Sequence, residues 1–187
     1  MFIQTETTPN PQVLKFLPGR ELLSAGSREF ISEAEAAASP LARALFALPG
    51  VTRVYFGDDF LTVTKAADRD WSHLKAPILA EIMDHFTSGA PLIEGEAAEA
   101  AEEVYEGETA QVVAEIKELI DTRIRPAVAQ DGGDILFSRF DPETGVVYLN
   151  MRGACSGCPS SAATLKAGVE NLLRHYVPEV TRVEQTL

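Results

Sequence analysis

The stretch VVYLNMRGACSGCPSS, residues 146–161, decides how the C-terminal part of this chain folds. It begins with an apolar run, Val146 to Met151, that is typical of a strand. After it, apolar residues recur at every third or fourth position, which is the helical period. Cys155 and Cys158, the only two cysteines of the chain, lie between these two patterns. The stretch therefore predicts a strand, a short loop with two thiols, and a helix that begins directly after them.

The residues around this stretch complete a small α+β domain. Before it, a long helix is predicted along one apolar face, from a cap at Thr109 to a little beyond Pro126. The tetrapeptide 131–134, Asp-Gly-Gly-Asp, ends that helix as a turn, and residues 135–140 form a hairpin with the strand of the quoted stretch. A second helix and a last strand over residues 180–185 follow the cysteines. The predicted order is helix, strand, strand, cysteine loop, helix and strand.

The N-terminal part of the chain predicts a second α+β arrangement. The expected hairpins pair residues 2–6 with 13–17 and residues 51–56 with 60–65. Ser39 and Pro40 predict a helix start, because serine caps a helix and proline suits its first position. From Asp70 to His85 apolar residues again follow the helical period, so a second helix is expected there.

An acidic segment separates the two parts. Residues 93–110 contain seven glutamates and no lysine or arginine. Repulsion between like charges keeps such a segment extended and solvated. We therefore predict two small α+β domains, residues 1–92 and 109–187, joined by an acidic flexible linker over residues 93–108.

The charge distribution excludes some classes of function. The formal net charge is −12, and neither domain has the basic stripe that binding to phosphate backbones requires, so no nucleic-acid partner is expected. No apolar stretch approaches the roughly 18 residues of a membrane span. The N-terminus lacks a basic segment followed by an apolar core, and two closely spaced cysteines suit a reducing compartment. These features favour a cytosolic protein.

Two thiolates at this spacing make half of a metal site. Structural zinc sites and cubane iron-sulfur clusters use four ligands, so a second copy of the chain or another partner has to supply the rest. The dipole and free N–H groups of the following helix are expected to lower the pKa of the thiols. Gly153 and Gly157 leave room for close approach to an anionic cluster.

Three kinds of protein share the spacing of Cys155 and Cys158. Zinc held across a dimer would make the chain an interaction module. A thioredoxin-like oxidoreductase would cycle the pair as an internal disulfide, but it needs a larger unit before the motif than this domain offers. A cluster carrier would use the pair as iron ligands. A metal role is not expected for His73, His85 or His175, since none has ligand spacing to another histidine or to the cysteines.

The residues also resemble a known family. The segments 131–134, 153–161 and 176–180 (YVPEV) resemble the C-terminal domain of the NifU/Nfu iron-sulfur scaffold and carrier proteins. Residues 1–11, MFIQTETTPNP, and 14–19, LKFLPG, are similar to the N-terminal domain that accompanies it in many members. The resemblance covers nearly the whole chain apart from the acidic linker.

The resemblance implies a labile 4Fe-4S cluster held between the Cys155 and Cys158 pairs of a homodimer, with a 2Fe-2S form left open. It implies a carrier that works by ligand exchange and not as an enzyme, between upstream assembly proteins and recipient apoproteins. The cysteine-free N-terminal domain would help to recognise recipients. The implied location is a bacterial cytosol, or the mitochondrial matrix if a targeting segment has been removed.

Overall fold

A computed structural model describes residues 2–24, 26–95, 103–156 and 159–186. The chain divides into two compact units, Met1–Glu99 and Ala100–Leu187, and each has its own hydrophobic core. Both units combine helices with a sheet, which confirms two α+β domains. No helix in the described ranges has the length and apolar content needed to cross a membrane.

The first unit is a five-stranded antiparallel sheet with helices packed on one face. Its elements are β1 Gln4–Thr7, β2 Val13–Leu17, β3 Arg28–Phe30, α1 Glu33–Ala36, α2 Pro40–Phe46, β4 Val51–Phe56, β5 Leu61–Lys65 and α3 Trp71–Ser88. The strand order is β1-β2-β5-β4-β3. Both predicted hairpins, β1–β2 and β4–β5, are confirmed, and the pairing of β2 with β5 joins them into one sheet. The fully buried Leu45, Ile78 and Ile82 of α2 and α3 pack on the sheet.

Local capping explains where the helices of this unit begin and end. Ser39 Oγ accepts a hydrogen bond from Ala42 N at 3.1 Å, as the sequence predicts for the start of α2. The Asp70 carboxylate accepts from Ser72 N at 2.7 Å at the start of α3. Gly89 then ends α3 in the left-handed conformation, with φ 71°.

The second unit is a three-stranded sheet with its helices packed around one core. Its elements are α4 Gly107–Leu119, a π-helical turn Ile120–Ile124, α5 Arg125–Gln130, β6 Gly133–Asp141, β7 Val146–Gly153, α6 Pro159–Tyr176 and β8 Arg182–Thr186. β6 and β7 form the predicted hairpin, and β8 lies parallel to β7 at the other edge. The crossover between these parallel strands contains the cysteine loop and α6.

The long helix of the second unit differs from its prediction at the start and in the middle. It begins at Gly107 after Glu106, whose side chain makes no capping hydrogen bond, so the cap predicted at Thr109 is wrong. A π-helical turn separates α4 from α5, and Arg125 N donates to Ile120 O, five residues back. Pro126 has no N–H to give, which disfavours regular α-helical bonding at this point.

Both ends of the predicted linker 93–108 belong to the units beside it. Ile93 packs against the core of the first unit. Tyr105 accepts a hydrogen bond from Phe140 N at 2.9 Å through its hydroxyl group, which attaches the segment before α4 to β6. The predicted flexibility concerns mainly residues 96–102, which lie outside the described residues.

Candidate functional site

Cys155 lies in a tight turn directly after β7. Cys155 N donates to Arg152 O at 3.3 Å, and Ser156 N and Oγ donate to Gly153 O at 3.1 and 3.0 Å. Gly153 permits this turn because its φ of 62° is in the left-handed region. The side chain of Cys155 points into the core, and the residue is only 6% exposed. The predicted strand, cysteine and helix order is therefore confirmed as far as Cys155.

The Gly132-Gly133 turn lies against the Cys155 turn. Ala154 N donates to Gly132 O at 3.1 Å. A Cβ atom at residue 133 would overlap Cys155 Sγ and would lie 3.0 Å from Cys155 N. The thiol thus occupies the space that a side chain at residue 133 would need.

An ion pair anchors the strand that begins at this turn. Arg125 Nε and Nη2 donate to Asp134 Oδ1 and Oδ2 at 2.8 and 3.0 Å, a bidentate arrangement. Asp134 Oδ1 also accepts from Ile135 N at 2.9 Å, and the Asp134 side chain is 5% exposed. Arg125 Nη1 reaches Asp121 at 3.3 Å, and Arg152 lies opposite Asp134 in the β6–β7 register.

Sequence reasoning missed this ion pair because it treated residues 131–134 only as a turn. The available signal was the second aspartate, which directly precedes a predicted strand. Its partner Arg125 lies nine residues earlier in a different element, at no recognisable spacing. The folded chain brings the two together beside Cys155.

The predicted lowering of the thiol pKa is wrong for Cys155. Burial raises its pKa to about 12, and the nearby carboxylates of Asp131 and Asp134 add to the rise. The turn places the thiol in the core and near two negative charges. These effects outweigh any stabilisation of the thiolate by the dipole of the helix that follows. The pairing with Asp134 correspondingly raises the pKa of the Arg125 guanidinium, which keeps its charge.

Cys158 lies outside the described residues, so the geometry of the cysteine pair stays a prediction. Among the residues that the structure describes, no three histidine, cysteine or acidic side chains come together as a possible metal site. Cys155 is a soft sulfur ligand of the kind that iron and zinc bind, although its present surroundings favour the protonated thiol. In the described conformation the thiol is buried, so ligation requires it to turn outward and lose its proton.

The three histidines lie away from the cysteine loop or in the other unit. His73 and His85 belong to α3 of the first unit. His175 is in the last turn of α6, and an 18-residue helix places it about 25 Å from the cysteine end of that helix. His85 is buried, and its Nε2 has no hydrogen-bond partner among the described residues.

Comparison with known proteins agrees with this architecture. Residues 3–89 match the family described as scaffold protein Nfu/NifU N terminal, and residues 116–184 match the NifU-like domain. NifU-like protein 4, mitochondrial, of Arabidopsis thaliana is 53% identical over 186 residues, which cover 99% of this chain and 66% of that protein. NFU1 iron-sulfur cluster scaffold homolog, mitochondrial, of Homo sapiens is 51% identical over 190 residues, covering 100% of this chain and 72% of that protein.

A solved relative gives a partial structural match. The solution NMR structure of a NifU-like protein from Saccharomyces cerevisiae has 33% sequence identity and a TM-score of 0.47, covering 51% of this chain and 87% of that one. The chain spans 66 to 72% of the length of the two curated relatives described above.

The two α+β units, with a cysteine turn between a strand and a helix in the second, match in order the two domain models of one class of scaffold protein. The chain belongs to the Nfu/NifU family of iron-sulfur cluster scaffold proteins.

Proposed function

We propose that this protein holds an iron-sulfur cluster on Cys155 and Cys158 of two subunits and delivers it to recipient apoproteins. The observation that carries the proposal is the Cys155 thiol on its glycine turn, at the strand-to-helix junction of a unit that matches the NifU-like domain. The cluster is cargo here, since it arrives from assembly proteins and leaves again.

The ligand count supports a homodimer. A 4Fe-4S cluster takes four protein ligands, and so does a 2Fe-2S cluster, whereas one chain has two cysteines. Two copies supply four thiolates around one cluster, in two equivalent pairs. A 4Fe-4S cluster shared in this way is the form we propose.

Transfer from such a dimer is ligand exchange. A thiolate of the recipient forms a bond to a cluster iron, and the bond between that iron and Cys155 or Cys158 breaks. The released sulfur takes up a proton in place of the iron, and no electron moves. Cys155 can then return to the buried position against Gly133 that the structure describes.

The compartment and the partners that we propose rest on the names of the relatives and on the charge pattern of the chain. The Arabidopsis and human relatives are named mitochondrial, which favours the matrix over a bacterial cytosol. Both compartments keep thiols reduced, as a cluster with free cysteine ligands requires. We infer that the first unit, which has no cysteine, contributes to recipient recognition. Neither nucleic acid nor a membrane is among the proposed partners.

Anaerobic reconstitution with iron and sulfide tests the proposal against the zinc alternative. The shared cluster predicts about two irons and two sulfides per subunit in a dimer, measured by chemical analysis and native mass spectrometry. The control is Cys155→Ser, which leaves too few thiolates for the cluster. A colourless protein that retains zinc, or one that stays monomeric without iron, would replace the carrier with an interaction module.

A further inference from the structure

The cysteine site includes a buried carboxylate beside the turn that holds Cys155. The Asp134 side chain is 5% exposed, and Asp134 directly follows Gly133, whose lack of a Cβ atom makes room for the Cys155 sulfur. A cubane cluster with four thiolate ligands itself has a net charge of about −2. A cation beside the Asp134 carboxylate therefore reduces the negative charge next to such a cargo.

Arg125 provides that cation at a defined position. Its guanidinium contacts Asp134 through two hydrogen bonds, 2.8 and 3.0 Å long, and binds Asp121 on its other side. The planar guanidinium matches both carboxylate oxygens at once, and an ammonium group cannot do so. Arg125 directly follows the π-helical turn and is the first residue of α5.

The same contacts connect Arg125 mechanically to Cys155. Asp134 is the second residue of β6, and its carboxylate also binds the backbone N–H of Ile135. The residue before it, Gly133, touches the Cys155 sulfur, and Gly132 O binds Ala154 N at 3.1 Å. The position of the Asp134 carboxylate therefore fixes the backbone against which the thiol rests.

We propose that Arg125 is a positioning residue of the cluster site, which acts through Asp134 on the Gly132-Gly133 turn and offsets the Asp134 charge. The inference rests on the proposed function, because it takes Cys155 as a cluster ligand. Outer residues that orient metal ligands change metal affinity or activity by about 10–100-fold when they are mutated. We expect an effect in that range from a residue that touches no ligand itself.

The test compares Arg125→Gln and Arg125→Lys with the matched control Arg123→Gln. Arg123 lies on the same helical segment, is exposed, and donates to the Tyr176 hydroxyl at 3.3 Å, away from Asp134. The first measurement is the rate at which iodoacetamide alkylates Cys155 in the apo full-length protein, with the adduct assigned by mass spectrometric fragmentation. The second is the half-time for loss of the reconstituted cluster to a chelator, with its visible circular dichroism spectrum.

Arg125→Gln is expected to shorten the half-time of the cluster about 10-fold and to alter its spectrum. It should also speed Cys155 alkylation, because loss of the ion pair frees the Gly132-Gly133 turn and exposes the buried thiol. Arg125→Lys keeps the charge but not the bidentate geometry, so its values should fall between those of Arg125→Gln and the parent protein. Arg123→Gln should match the parent. The double variant Arg125→Gln, Asp134→Asn leaves no unpaired buried carboxylate, so it keeps the test usable if the single variant does not fold.

The outcomes separate the two proposals. A parent protein that takes up no iron and sulfide overturns the carrier function, and the positioning role with it. The positioning role alone is overturned if the parent loads normally while Arg125→Gln and the double variant keep the parent's alkylation rate and cluster half-time.

Discussion

Gly133 and Cys155 share one space, because a side chain at residue 133 would lie where the Cys155 sulfur is. The two turns are distant in sequence, yet they pack so closely that residue 133 has no room for a Cβ atom. This contact links the end of the long helix to the cysteine loop, and it makes the glycine a requirement of the site as well as of the fold.

Gly133→Ala should therefore destabilise the protein and displace the thiol. Overpacking a close contact costs about 1–3 kcal/mol, and the Cys155 sulfur and backbone have to move to admit the methyl group. We expect a decrease of that size in the free energy of unfolding in urea, together with faster alkylation of Cys155.

Gly168→Ala is the matched control for that substitution. Gly168 lies within α6, and a Cβ atom there would meet nothing within 4 Å. Alanine is the better helix former, so this change should stabilise by about 0.5–1 kcal/mol. Equal effects of the two substitutions would contradict the close contact between Gly133 and Cys155.

The buried thiol predicts an unusual pH dependence for the apo protein. Burial, with Asp131 and Asp134, raises the pKa of Cys155 from 9.0 to about 12. Only the thiolate reacts with iodoacetamide, so its alkylation at pH 8 should be slow compared with a cysteine in an unfolded peptide. The rate should still be rising at pH 10, and a plateau near pH 9 would show that the thiol is not buried in solution.

The same shift has a defined sign for stability. The folded state keeps the Cys155 proton at pH values where the unfolded chain loses it, so this stabilising contribution is fully present below pH 9.0. It is lost as the pH rises towards about 12. Urea titrations of the parent and Cys155→Ala, which has no thiol, should converge over this interval.

The sequence predicts elements well where local chemistry determines them. Ser39 and Asp70 cap the starts of α2 and α3 by hydrogen bonds to nearby backbone N–H groups, and Gly89 ends α3. Both hairpins of the first unit have turn residues between their strands. β3 and α1, with three and four residues, were not predicted because they are too short to show a period. β3 forms by pairing with β4, whereas α1 is capped locally, since Ser32 Oγ accepts a hydrogen bond from Glu35 N at 3.3 Å.

The site was harder to predict because tertiary contacts determine its chemistry. The position of Cys155 between a strand and a helix follows from the local pattern, but its burial and raised pKa depend on Gly133 and Asp134 across the turn. The Arg125–Asp134 pair joins the first residue of α5 to the second residue of β6, across the turn between these two elements. No periodic signal in the sequence encodes that distance.

His85 predicts an acid sensitivity in the first unit. Burial, with a contribution from the charge of Arg20, lowers the pKa of this imidazole below its usual 6.5. The unfolded state therefore binds the proton more readily, so the stabilising contribution is present above pH 6.5 and is lost as the pH falls through the folded pKa. Trp71, the only tryptophan, reports on unfolding of this unit by its fluorescence.

The variant that tests this sensitivity is His85→Phe, which keeps an aromatic ring next to Phe86 and removes the titrating group. Its free energy of unfolding in urea should decrease less than that of the parent between pH 7.5 and pH 5. His73→Phe is the control, since His73 is an exposed residue near the start of the same helix. Parallel pH profiles for the parent and His85→Phe would contradict the assignment.

Removing either cysteine should abolish cluster-dependent dimerisation. Cys155→Ser or Cys158→Ser leaves one thiolate per subunit and two per dimer, whereas the cluster takes four. Native mass spectrometry after anaerobic reconstitution should show monomers without iron for both variants. Ser156→Ala, which alters the loop between the two cysteines but keeps both thiols, should still load and dimerise. A dimer of either cysteine variant with a full complement of iron and sulfide would exclude four-thiolate ligation across the subunits.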